Sequence, residues 1–184
     1  DFYLNEINGG SIEIICAKKE SHYKSNIKKI SKTIKKEKLI SKEDYEKFNL
    51  RVQKNKKNIN SFLETQKRKD IIGYGASTKG NVILNYCGIN HKNISYICDA
   101  NPFKIGKITP GSHIPIISKE KMRKINPKYL IVLIWSFRKE VIKQEEKFIK
   151  KGGKLIMPLP VFHIVDRNNY FQYLKEDFSA FSLS

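Results

Sequence analysis

The chain has 184 residues, a formal net charge of +18 and an apolar content of 40%. That is long enough for one ordinary domain with its own core, and the apolar share excludes a disordered chain. No apolar run approaches the roughly 18 residues of a membrane span, and Asp1-Phe2-Tyr3-Leu4-Asn5 lacks the basic start and apolar block of a secretory leader. A cytoplasmic protein with no membrane partner is expected. The start at Asp1, without Met, reads as part of something longer.

Residues 11–17, SIEIICA, form a β-prone run after the turn signal Asn8-Gly9-Gly10. Residues 20–69 hold no Gly or Pro. Ile27, Ile30, Ile34 and Leu39 recur at near-helical spacing, and Ser41-Lys42-Glu43-Asp44 reads as a capping box ahead of Tyr45, Phe48, Val52, Ile59, Phe62 and Leu63. Two amphipathic helices, one of them long, are expected to pack one face on the region beyond residue 69. Residues 18–69 carry 18 Lys or Arg against 6 Asp or Glu, which reads as a solvated helical face.

From residue 70 the pattern alternates. Asp70-Ile71-Ile72-Gly73-Tyr74 is a strand, 79–87 a helix stopped by Gly88, and Ile94–Asp99 a second strand. Ile114-Pro115-Ile116-Ile117 is a short strand placed at an edge by its proline, and 119–125 is helical. Tyr129-Leu130-Ile131-Val132-Leu133-Ile134-Trp135 is a central parallel strand. Residues 138–151 form a helix closed by Gly152-Gly153, and Leu155-Ile156-Met157 is the last strand. The aromatic-rich tail, with Phe162, Tyr170, Phe171, Tyr173, Phe178 and Phe181, is expected to pack back onto the domain. The fold class is therefore α/β: a Rossmann-like parallel sheet of about five strands flanked by helices, with additional long amphipathic helices. The order 3-2-1-4-5 places a ligand crevice at the carboxyl ends of strands 1 and 4.

The three cysteines, Cys16, Cys87 and Cys98, are odd in number and include no CxxC pair, which argues against a zinc site and a disulfide framework. Each sits among apolar neighbours and reads as a buried, reduced thiol. Basic charge is mostly Lys; only Arg51, Arg68, Arg123, Arg138 and Arg167 are Arg. Base readout prefers Arg, so a solvated Lys-rich surface is expected rather than a nucleic-acid partner.

The strongest chemical signal is Gly73-Tyr74-Gly75-Ala76-Ser77-Thr78-Lys79-Gly80-Asn81, set between a strand and a helix. Gly73 permits a tight turn and Gly75 a close ligand approach, while Thr78 replaces the third glycine of the dinucleotide fingerprint. Lys79 falls in the first helical turn, where the macrodipole disfavours a cation unless an anion binds there. Asp99 ends the second strand, as a ribose-binding acid or as a turn carboxylate ahead of Asn101-Pro102. Tyr74, Ser77 and Asn81 can add polar contacts. Trp135 offers a stacking surface or plain core, and Arg138 a fork for phosphate or carboxylate. His22, His91, His113 and His163 have no partner pattern and read as structural.

The runs GYGASTKGNVILNYCGI, ISYICDANPFKIGKITPGSHIPI, YLIVLIWSFRKEV and GGKLIMPLP occur in that order and resemble the C-terminal domain of SAM-dependent sugar C-methyltransferases. NGGSIEI is similar to the family's GGS-containing strand at the end of its catalytic domain. Glu13 and Ser136 depart from the family's usual Arg and Asn. The resemblance implies a division into 1–19, the end of the preceding catalytic domain or a linking strand; 20–69, a helical segment packed on the sheet; and 70–184, a Rossmann-like nucleotide-sugar-binding domain with a C-terminal extension. It implies a methyl transfer from S-adenosylmethionine to a carbon of a keto deoxysugar linked to a nucleoside diphosphate. The cofactor and the catalytic residues then belong to an upstream SAM-binding domain of the same polypeptide, and zinc to an N-terminal module. Gly73, Tyr74, Gly75, Ser77, Lys79, Asn81, Asp99, Trp135 and Arg138 are the expected substrate contacts. The alternative is a free-standing nucleotide-binding or regulatory module with an NAD-like ligand.

Overall fold

A computed structural model describes residues 1–5, 7 and 10–175. The chain forms two compact units, one built on Asp1–Val52 and the other starting at Gln53. In the first, β1 (Phe2–Asn5) and β2 (Ser11–Ile14) pair antiparallel as an isolated hairpin, followed by α1 (Ile27–Glu37). Lys29 of α1 holds the hairpin: its ammonium donates to the Phe2 carbonyl, pairs with Asp1 at 3.3 Å and lies over the Phe2 and Tyr3 rings. The sequence reading missed β1, a run of only four residues. The capping box is present at the start of α2 (Lys42–Glu64). Asp44 N–H donates to Ser41 Oγ at 3.2 Å, and Ser41 N–H donates to Asp44 Oδ2 at 2.9 Å.

The second unit alternates strand and helix in the chain order β3 (Ile71–Tyr74), α3 (Thr78–Cys87), β4 (Tyr96–Asp99), β5 (Ile116–Ser118), α4 (Lys119–Ile125) and β6 (Tyr129–Val132). It continues with α5 (Arg138–Gln144), α6 (Glu146–Lys150), β7 (Lys154–Met157), β8 (His163–Val165) and α7 (Tyr170–Lys175). One six-stranded sheet results, in the order β5-β4-β3-β6-β7-β8. Its first five strands are parallel and reproduce the expected order 3-2-1-4-5. The sixth, β8, is antiparallel on β7 and corrects the count of five.

Period-2 alternation sends the two faces of the sheet into two cores. Ile71, Ile97, Ile131 and Ile156 face α3 and the end of α2, where Ile59 and Leu63 are buried. Ile72, Tyr74, Cys98, Leu130 and Val132 face Met122, Val141, Ile142 and Ile149 of α4, α5 and α6. No residue of α1 is buried, and Tyr45 and Phe48 of α2 are exposed. The continuous helix expected over 138–151 divides at Glu145, whose buried carboxylate is held by Arg123 and Tyr74. Cys16 is exposed, which corrects the expectation of three buried thiols; Cys87 and Cys98 are buried. In the aromatic tail, Tyr170 and Tyr173 pack on the second core and Phe162 on the first, whereas Phe171 is exposed. Phe178 and Phe181 lie outside the described residues. Among the described residues no helix is long and apolar enough to cross a membrane.

Candidate functional site

β3 lies at the centre of the sheet and all four of its residues are buried, so the loop that leaves it emerges between β4 and β6. Pairing continues past the strand's end. Gly75 N–H donates to Cys98 O at 2.8 Å, and Leu133 N–H donates to Tyr74 O at 3.0 Å. Gly75 then turns with φ +88°, a left-handed conformation that a side chain strains, and a Cβ there would meet Ile134 Cγ2 at 2.6 Å. Ser77 caps α3 by accepting from Gly80 N–H at 2.9 Å. Gly80, not position 78, does the work of the fingerprint's third glycine: its missing Cβ would stand 2.7 Å from Leu133 Cβ, so α3 lies tight on the residues after β6.

The loop's backbone donors are largely consumed within the protein. Ala76 N–H donates to Asp99 Oδ2 at 2.7 Å, Ser77 N–H to Gly75 O at 3.0 Å and Asn81 N–H to Ser77 O at 3.0 Å. Asp99 Oδ1 accepts from Asn101 N–H at 2.8 Å. Asp99 thus makes the contacts of a turn carboxylate: it fastens the glycine loop to the end of β4, and its side chain is only 12% exposed. The Lys104 ammonium sits at the same place, 2.8 Å from Ala76 O and 3.4 Å from Asp99 Oδ2.

On the other side of the loop the Lys79 ammonium lies 5.9 Å from the centre of the Trp135 ring. Trp135 is half-buried against the first core, in the turn after β6. Asn81 Oδ1 is buried and has no hydrogen-bond partner among the described residues. Gly73, Gly75, Ser77, Lys79, Asn81 and Trp135 thus gather at the carboxyl ends of β3 and β6.

Two expected contacts are committed elsewhere. Arg138 is buried at the start of α5, with its guanidinium 5.0 Å from the centre of the Tyr173 ring. Tyr74 points to the opposite face of the sheet. Its hydroxyl donates to Glu145 Oε1 at 2.9 Å and accepts from Lys119 Nζ at 2.6 Å. Burial, reinforced by the Glu145 carboxylate, pushes the Tyr74 phenol well above its ordinary range, so it is not an acid or base near neutral pH. Among the described residues no three His, Cys, Asp or Glu side chains come together as a metal site.

The family profile of the C-methyltransferase C-terminal domain matches residues 6–160. The chain belongs to this family. It is 42% identical over 92 residues to the C-methyltransferase NovU of Streptomyces niveus. That stretch is 50% of this chain and 22% of the relative, so the match spans about a fifth of the relative's length. In this C-methyltransferase domain the glycine loop and Trp135 were legible in sequence. Lys104 was not singled out, because an NPFK turn carries no sign that its lysine folds back onto a loop 28 residues earlier.

Proposed function

We propose that this domain is the C-terminal, substrate-docking part of an enzyme that transfers a methyl group from S-adenosylmethionine to a carbon of a nucleotide-linked keto deoxysugar. What supports the docking role is the Lys79–Trp135 pair beside the glycine loop, at the carboxyl ends of the two central strands. An ammonium in the first turn of α3 is set against the macrodipole, and a bound diphosphate removes that penalty. The Trp135 ring supplies an apolar wall, and Gly75 lets the ligand approach the backbone. The chemistry needs a base for the proton beside the ketone and donors for the enolate. S-adenosylmethionine supplies the methyl group, and on this reading an upstream domain binds it. Zinc belongs to an N-terminal module on the same reading. The isolated hairpin, with Leu4, Ile12 and Ile14 exposed, accords with 1–19 as the end of a preceding domain, because two strands alone are marginally stable.

The test is titration of the full-length enzyme with nucleoside diphosphate-sugars. Lys79→Ala should weaken binding by ~1.5–3 kcal/mol, the scale of a hydrogen bond to a charged group, and leave the unliganded melting temperature unchanged. Tyr74→Phe should do the reverse. It removes a hydroxyl bonded to Glu145 and Lys119, so it should lower stability by about 1–2 kcal/mol and leave binding unaltered. Normal binding by Lys79→Ala reduces the glycine loop to a tight turn and removes the substrate from this crevice.

A further inference from the structure

Lys104 lies in the short turn Pro102–Lys104 that follows β4. Asn101 fixes this turn by accepting from Phe103 N–H at 3.0 Å. The Lys104 side chain folds back so that its ammonium donates to Ala76 O at 2.8 Å and to Asp99 Oδ2 at 3.4 Å. The second contact is long, and Asp99 does not depend on it, because two backbone N–H groups at 2.7 and 2.8 Å already serve the carboxylate. Neutralising Asp99 is therefore a weak account of why a flexible four-carbon side chain is held at this point.

The position itself supplies a better account. Ammonium has three donors. Ala76 and Asp99 take two, and among the described residues no acceptor takes the third. The Lys104 side chain is 40% exposed, whereas that of Asp99 is 12% exposed with its charge turned inward onto amides. The glycine loop beside it has spent the N–H groups of Gly75, Ala76 and Ser77 on Cys98, Asp99 and Gly75. An anion arriving on this side of the loop thus meets a tethered ammonium instead of a backbone nest.

We propose that Lys104 is a phosphate-binding residue of this crevice, its tethered ammonium giving its third N–H to an oxygen of a diphosphate-bearing ligand. The inference rests on the reading of the crevice as the site of a nucleotide-linked sugar. Two tethers set the ammonium before the ligand arrives, so little side-chain freedom is lost on binding. With Lys79 on the Trp135 side and Lys104 on the Asp99 side, cations flank the loop.

The probes are inorganic pyrophosphate, which carries the phosphate chemistry without a base or sugar, and a panel of nucleoside diphosphates, both titrated into the full-length enzyme. Lys104→Met should weaken both about ten-fold or more, the scale of one charge-assisted hydrogen bond. It should also flatten the dependence of affinity on ionic strength, because one screened charge is gone. Lys104→Arg keeps the positive charge and should therefore retain more of the wild-type affinity and salt dependence than Lys104→Met. Unchanged affinity in Lys104→Met overturns the proposal. So does a loss of affinity with an unchanged salt dependence, which identifies Lys104 as a brace for the loop and nothing more. Lys79→Ala is run beside it: weakening there with none in Lys104→Met refutes this inference alone. No binding of either probe by the wild type brings down the crevice reading together with it.

Discussion

Cys98 lies on the inner face of β4, where burial pushes its thiol up to about 12. Burial also raises Cys87, at the end of α3, whereas Cys16 is exposed. Since the thiolate is the nucleophile, a native sample treated with a thiol reagent at about pH 8 should react rapidly at one cysteine per chain, Cys16, and at all three after denaturation. A second fast thiol in the native chain would contradict the packing around α3 or β4. The same dependence on surroundings limits what a residue's type reveals about its role. Asp99 stands at the strand end where a ribose-binding acid belongs, yet its oxygens face Ala76 and Asn101 amides. Tyr74 sits within the glycine motif, but β-strand alternation sends its ring to the far face, toward Glu145. Period-2 alternation was available in the sequence and settles Tyr74. The local half of Asp99's role, at Asn101, was readable, but the contacts of Asp99 and Lys104 with Ala76 span 23 and 28 residues and left no mark in local pattern.

At the scale of elements, strands and helices marked by uninterrupted apolar runs and glycine stops were legible, and with them the parallel order of the sheet. What escaped was short or held by distant partners. β8 has three residues and gains its place by pairing antiparallel with β7. The break between α5 and α6 arises from a carboxylate drawn into the core, which no helical periodicity records. The contact between α3 and the turn after β6 carries its own test. Alanine in place of a helical glycine ordinarily stabilises, by about 0.5–1 kcal/mol in a helix interior and by less in the first turn, where Gly80 sits. At Gly80 the new Cβ meets Leu133 Cβ at 2.7 Å and Ser77 Oγ at 3.1 Å, with neither atom at the end of a long flexible chain. Overpacking of this kind costs about 1–3 kcal/mol. Gly80→Ala should therefore lower stability by about 1–2 kcal/mol in urea unfolding, the net of these opposed terms. A variant as stable as wild type shows that α3 can move off the sheet.

At the scale of the whole molecule, the chain is a C-methyltransferase C-terminal domain. The match to NovU covers 22% of that protein. Within this chain, the described glycine loop lies at the topological switch between β3 and β6, and the acid best placed to hold an adenosine ribose is locked to backbone amides. On the proposal that an upstream domain binds the cofactor, residues 1–184 alone should show no saturable S-adenosylmethionine binding by calorimetry and no methyl transfer, while the same titration of the full-length enzyme should saturate. Stoichiometric binding of the cofactor to residues 1–184 would overturn that division and put the methyl donor in competition with the sugar nucleotide for the crevice assigned here to it.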